Sequence, residues 1–180
     1  MGTTKATCYR RLSLTDKNWR NTLTLEEGKA APQFTLKDSE GKKVALKDFR
    51  GKNVIIYFYP RDDTPGCTKE ACAFRDLSTD IEATNTIVFG ISPDESSSHL
   101  KFQQKYQLPF TLLSDPNKKV MEKYGAFGEK MMYGKKTVGV IRSTVWIGPT
   151  GQVIKHWGRV QKAGDHPLKV LEALKTVQTK

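Results

Sequence analysis

Residues 54–59 read Val-Ile-Ile-Tyr-Phe-Tyr, an unbroken apolar run. A strand with one wet face alternates, so this run predicts a central strand buried on both sides. The stretch Thr86–Ser92 has the same character and predicts a second one. Upstream, Phe34-Thr-Leu36 and Lys43-Val-Ala-Leu46 alternate around the turn-like Asp38-Ser-Glu-Gly41, the pattern of an N-terminal hairpin. From about Cys67 to Ala83 the apolar positions Ala71, Phe74, Leu77 and Ile81 recur at helical spacing and predict one helix. A second helix is predicted over 96–106, a short strand over 111–113 and a short helix over 117–124, while the glycine-punctuated stretch 126–138 reads as a loop. Strands over 142–147 and 152–157 flank Gly148-Pro-Thr-Gly151, and Asp165-His-Pro167 opens a last helix. Strands alternating with helices, closed by a hairpin and a helix, predict an α/β fold with a mixed central sheet flanked by helices.

Residues 1–24 break from this pattern. They are polar, basic and rich in Ser and Thr, with neither period sustained. The expected organisation is a basic flexible extension over 1–24 and one domain over 25–180. No apolar run approaches the roughly 20 residues that span a bilayer, so no membrane partner is expected. The net charge is +11. Part of it sits in the extension, on Lys5, Arg10, Arg11, Lys17 and Arg20, and the rest is spread in short lysine pairs. That is the pattern of a solvated basic surface, without the clustered stripe and interleaved aromatics of a specific nucleic-acid binder.

The chain has 3 cysteines, too few and odd in number for a secreted disulfide scaffold. In a reducing compartment a close cysteine pair points to metal binding or redox chemistry. His99, His156 and His166 are scattered, and no second Cys/His pair completes a four-ligand zinc site. No metal and no cofactor are therefore expected. Cys67 follows the buried strand and the cluster Pro60-Arg-Asp-Asp-Thr-Pro-Gly66, at the start of the predicted helix. Backbone N–H groups there lack intrahelical partners and the helix dipole is positive, so a thiolate is favoured over a thiol. The thiolate is the nucleophilic form. Thr64 lies three positions upstream, where its hydroxyl is expected near the same sulfur.

Cys72 lies five positions beyond Cys67. In a regular helix that spacing puts the two Cα atoms about 8.6 Å apart. A disulfide rarely spans more than roughly 7 Å between Cα atoms. Joining the pair therefore requires the start of the helix to unwind, unlike a Cys-x-x-Cys pair.

The string Phe58-Tyr-Pro-Arg-Asp-Asp-Thr-Pro-Gly-Cys-Thr-Lys-Glu-Ala-Cys-Ala-Phe-Arg-Asp76 contains Pro60-x-x-x-Thr64-x-x-Cys67 and resembles the active-site signature of peroxiredoxins, in particular the peroxiredoxin Q or bacterioferritin comigratory protein subfamily. The resemblance continues through Gly51-Lys52, Tyr124-Gly125, Tyr133-Gly-Lys-Lys136 and Val140-Ile-Arg-Ser-Thr144, over about residues 25–178. It implies a thioredoxin-like fold and a thiol peroxidase that reduces hydrogen peroxide and organic hydroperoxides in antioxidant defence. Cys67 falls on the peroxidatic cysteine and Cys72 on the resolving cysteine, which closes an intramolecular disulfide. Thr64 falls on the hydroxyl that orients peroxide and sulfur, and Arg142 on the arginine that stabilises thiolate and polarised peroxide. Pro60 falls on the proline that shields the pocket, and Glu70 on the acid that holds the arginine. The implied reductant is thioredoxin or a similar dithiol, and the implied state is a monomer. Gly148 stands where the family commonly has an acid, read as a turn variation. Cys8 has no counterpart in the family core and reads as a free thiol.

Two other readings stay open on the residues alone. A thiol–disulfide oxidoreductase would use the same fold class, and the charge admits a DNA-associated or redox-sensing protein. The cytoplasm is the expected location, with an organelle the alternative if residues 1–24 act as a targeting segment.

Overall fold

The computed structural model describes residues 25–132 and 134–178. The extension over 1–24, with Cys8 in it, lies outside the described residues. The predicted hairpin is β1 (Thr35–Asp38) and β2 (Lys43–Ala45), followed by a 3-10 turn over Leu46–Phe49. The central strand β3 (Asn53–Phe58) leads to α1 (Pro65–Asp76) and α2 (Ser78–Glu82). Then come β4 (Thr86–Ser92), α3 (Ser96–Tyr106), β5 (Thr111–Ser114) and α4 (Lys119–Lys123). The chain ends with β6 (Phe127–Met132), β7 (Lys135–Val140), β8 (Ser143–Ile147), β9 (Val153–Trp157) and α5 (His166–Gln178). Among the described residues, seven strands form one sheet in the order β2-β1-β5-β4-β3-β8-β9, with β6 and β7 as a separate pair. Strands β3, β4 and β5 run parallel, while β8 and β1 join them antiparallel, so the sheet is mixed.

The continuous apolar run of β3 has a direct cause. Val54, Ile56 and Phe58 enter a core with Phe89, Met121 and Tyr124. Ile55, Tyr57 and Tyr59 enter the opposite core with Cys67, Phe74, Phe102 and Leu171. Both faces are covered, so alternation has no function there. The second core fixes α1 against the sheet and so places the cysteines.

Two expectations need correction. The single helix expected over 67–83 is two helices that meet at Leu77, whose φ of −102° and ψ of 6° leave the helical region. Ser78, Thr79 and Asp80 start a helix more readily than they continue one, and the apolar spacing runs through the break because Phe74 and Ile81 enter the same core. The loop expected over 126–138 is the β6–β7 hairpin. Its glycines serve a strand pair instead: Gly128 and Gly139 face each other across it, and Gly134 takes a φ of 77° beside the turn.

Candidate active site

The sheet delivers the Pro60–Gly66 cluster from the C-terminal end of β3. Thr64 caps α1 with extended backbone, and its carbonyl accepts the first helical bond from the Thr68 N–H at 2.8 Å. Pro65 occupies the first turn, where a missing N–H costs nothing. Cys67 thus stands in the first turn as the sequence predicts, with the helix beginning two residues earlier. Its side chain is buried, 1% exposed, and its sulfur is a free thiol.

Arg142 arrives from the other side, between β7 and β8, and its carbonyl accepts the Val160 N–H at 2.8 Å. One guanidinium nitrogen donates to Cys67 Sγ at 3.2 Å. The other donates to Glu70 Oε2 in a short charge-assisted contact. Residues 72 and 75 positions away in sequence from Arg142 therefore meet on one planar fork. Glu70 is fully buried one turn along α1, and burial pushes its carboxyl up to about 7 against the opposing pull of Arg142. Burial disfavours the charge on Arg142, yet Glu70 and Cys67 more than offset this and hold its pKa above the usual value. A Cβ at Gly66 would lie 3.4 Å from the Arg142 guanidinium, in ordinary contact.

The Thr64 hydroxyl, expected near the sulfur, donates to the Arg61 carbonyl at 3.1 Å and braces the turn. Pro60 is exposed at the end of β3. Cys72 lies half-buried further along α1, a free thiol like Cys67, with both held in the same helix.

Other residues that build the site were not read from the sequence. Asp62 is buried under the loop, where Tyr59 Oη donates to it at 2.6 Å, His99 Nδ1 meets it at 2.8 Å and Ser98 Oγ donates at 2.7 Å. Its backbone N–H donates to Asp94 Oδ2 at 2.8 Å. Burial raises the Asp62 pKa, but the bonds from His99, Tyr59 and Ser98 outweigh that and hold it below the usual carboxylate range. His99, far in sequence from the other histidines, is a buried internal strut against Asp62. Tyr57 stacks on Phe74 at 4.9 Å and on Tyr59 at 5.3 Å below the site. Burial, then the nearby Glu70, pushes its phenol far up, so it stays neutral. Gly90 makes room for it, because a Cβ there would sit 2.7 Å from Tyr57 Oη. The signal for the Asp62 network was present as two adjacent acids inside the Pro60–Pro65 turn, but nothing local paired them with His99.

A thiol at a helix start, with a fixed cation on its sulfur, can act as a nucleophile and stabilise charge leaving it. Comparison with known proteins adds what geometry alone does not. The family model described as AhpC/TSA family matches residues 28–156. Putative peroxiredoxin bcp of Coxiella burnetii is 47% identical over 142 residues, 79% of this chain and 94% of that protein. Peroxiredoxin Bcp of Bacillus subtilis is 41% identical over 158 residues, 88% of this chain and 100% of that protein. The bacterioferritin comigratory protein of Xanthomonas campestris, solved in a study of its alkyl peroxide reduction activity, superposes with a TM-score of 0.75 at 36% identity, covering 80% of this chain and 91% of that one.

Proposed function

Since the chain belongs to the AhpC/TSA family, among the peroxiredoxins of the Bcp and Q type with their thioredoxin-like fold, we propose how its own residues run thiol peroxidase chemistry. The observation that carries the proposal is the Arg142 fork, which joins Cys67 Sγ to the buried Glu70. The Cys67 thiolate attacks the terminal oxygen of a hydroperoxide. An S–O bond forms, the O–O bond breaks, and the departing oxygen takes a proton to leave as an alcohol or as water. Arg142 stabilises the negative charge as it moves from sulfur to the leaving oxygen. Thr64, whose hydroxyl proton is engaged by Arg61, offers its oxygen as acceptor to the hydroperoxide O–H. Pro60 closes the solvent side, and Glu70 holds Arg142 at its working angle. Cys67 becomes a sulfenic acid, the first and reversible step of cysteine oxidation.

Cys72 then attacks the Cys67 sulfenic sulfur. An S–S bond forms, the S–O bond breaks, and hydroxide leaves with a proton as water. Thioredoxin or a similar dithiol reduces the disulfide by exchange and returns both thiols. We place the catalytic domain at 25–180, as a cytoplasmic monomer. Quenching the reduced protein within milliseconds of one equivalent of hydroperoxide, with a sulfenic-acid trap present, tests the first step. Mass spectrometry is expected to find the trap on Cys67, with more of it in Cys72→Ser. A trap found on Cys72 instead would reverse the two roles.

A further inference from the structure

Both cysteines lie in α1, and their closure requires unwinding of that helix. What holds α1 wound is therefore a control point. The C-terminal turn of α3 touches the chain on both sides of the cysteine pair. On the upstream side, Tyr106 Oη donates to Asp63 Oδ1 at 2.6 Å and Lys105 Nζ to Asp63 Oδ2 at 2.6 Å. On the downstream side, Arg75 donates to the Tyr106 carbonyl at 2.9 Å while its Nε donates to Asp76 at 2.9 Å. Asp63 precedes Cys67 by four positions, and Arg75 follows Cys72 by three. One residue, Tyr106, thus binds both ends of the segment that has to unwind. Asp63 itself sits at a φ of 54°, a left-handed conformation that Asp and Asn tolerate better than most residues.

Resting on the assignment of Cys67 and Cys72 above, we infer that Tyr106 is a positioning residue that sets the partition of α1 between the wound form, which meets peroxide, and the unwound form, which closes the disulfide. The Lys105–Asp63 pair is exposed and screened by water, so it contributes little. The Tyr106–Asp63 bond is exposed too, but its hydroxyl is carried on a half-buried ring packed edge-on against Phe102 at 5.3 Å, which fixes the donor better than a flexible lysine chain does. The two fates of the sulfenic acid make the partition consequential. Unwinding leads to the disulfide and water. Delay leaves the sulfenic acid to a second hydroperoxide, which oxidises it to sulfinic acid and is itself reduced to the alcohol.

The test is Tyr106→Phe, which deletes the hydroxyl and keeps the ring, with Asp63→Asn as the second variant, since Asn tolerates the same backbone. Formation of the Cys67 sulfenic acid and of the disulfide are timed separately by rapid quench and mass spectrometry. The wound form dominates at rest, so the peroxide step is expected to change by less than about twofold. Loss of one hydrogen bond to a carboxylate should speed disulfide closure about three- to tenfold. The hydroperoxide dose that drives half of Cys67 to sulfinic acid should rise by a similar factor. Hydrogen exchange in the α1 amides of the reduced protein should quicken as well. Unchanged closure in both variants, or slower closure, overturns the role of Tyr106. A wild type that makes no sulfenic acid on Cys67 refutes the cysteine assignment instead, so the two failures are distinguishable.

Discussion

Arg142 spans two groups of opposite needs: a sulfur that benefits from its charge and a buried carboxyl that needs its donors. Lysine keeps the charge but not the fork. Arg142→Lys is expected to lower the second-order rate with hydroperoxide by about a hundredfold, in the range seen when a fixed donor is removed from a developing negative charge; stopped-flow kinetics checks this. Glu70 carries a pH signature. Burial holds its folded pKa at about 7, above the ordinary value of 4.5. A raised acid favours its neutral form, so the stability it contributes is complete below pH 4.5 and is lost as pH rises to about 7. The change is about 1.4 kcal/mol per unit of displacement. Thermal melts of wild type should therefore lose stability across this window relative to Glu70→Gln; parallel curves would show that Glu70 titrates normally.

The loop between β3 and α1 owes its shape to Asp62, whose carboxylate collects Tyr59, Ser98 and His99. Its folded pKa is lowered from 3.8, so its stabilisation is present above that value and is lost as the pH falls through the folded pKa. Asp62→Asn should flatten the acid limb of the stability curve and, by loosening the loop, slow the peroxide step; an unaltered acid limb would remove Asp62 from the account. Such long-range pairings explain what the sequence concealed. Cys67 was legible because a strand, a turn and a helix start are all local patterns. His99 was not, because its partner lies 37 positions away and only the parallel packing of β3 beside β4 brings α3 over the loop. The α1–α2 break escaped notice because apolar spacing records which residues face the core and not whether the backbone stays helical between them. The β6–β7 hairpin escaped because Gly128 and Gly139 are paired across strands, where glycine usually marks a turn.

At the scale of the whole molecule, two apolar cores clamp the sheet from both faces, and Cys67 and Cys72 sit on one helix that packs on one of them. The proposed two-cysteine cycle needs α1 to unwind while the sheet persists, and this division suits it. The domain placed at 25–180 should accordingly keep its peroxidase rate when the chain begins at Leu25; a large loss would give residues 1–24 a part in catalysis. The central claim is a two-cysteine peroxidase cycle through Cys67 and Cys72. The most direct measurement is peroxide consumption coupled to thioredoxin, thioredoxin reductase and NADPH, on wild type, Cys67→Ser and Cys72→Ser. The expected result is steady turnover by wild type, none by Cys67→Ser, and a single turnover by Cys72→Ser. Normal cycling by Cys72→Ser would contradict the resolving role of Cys72, and turnover by Cys67→Ser would contradict the account at its root.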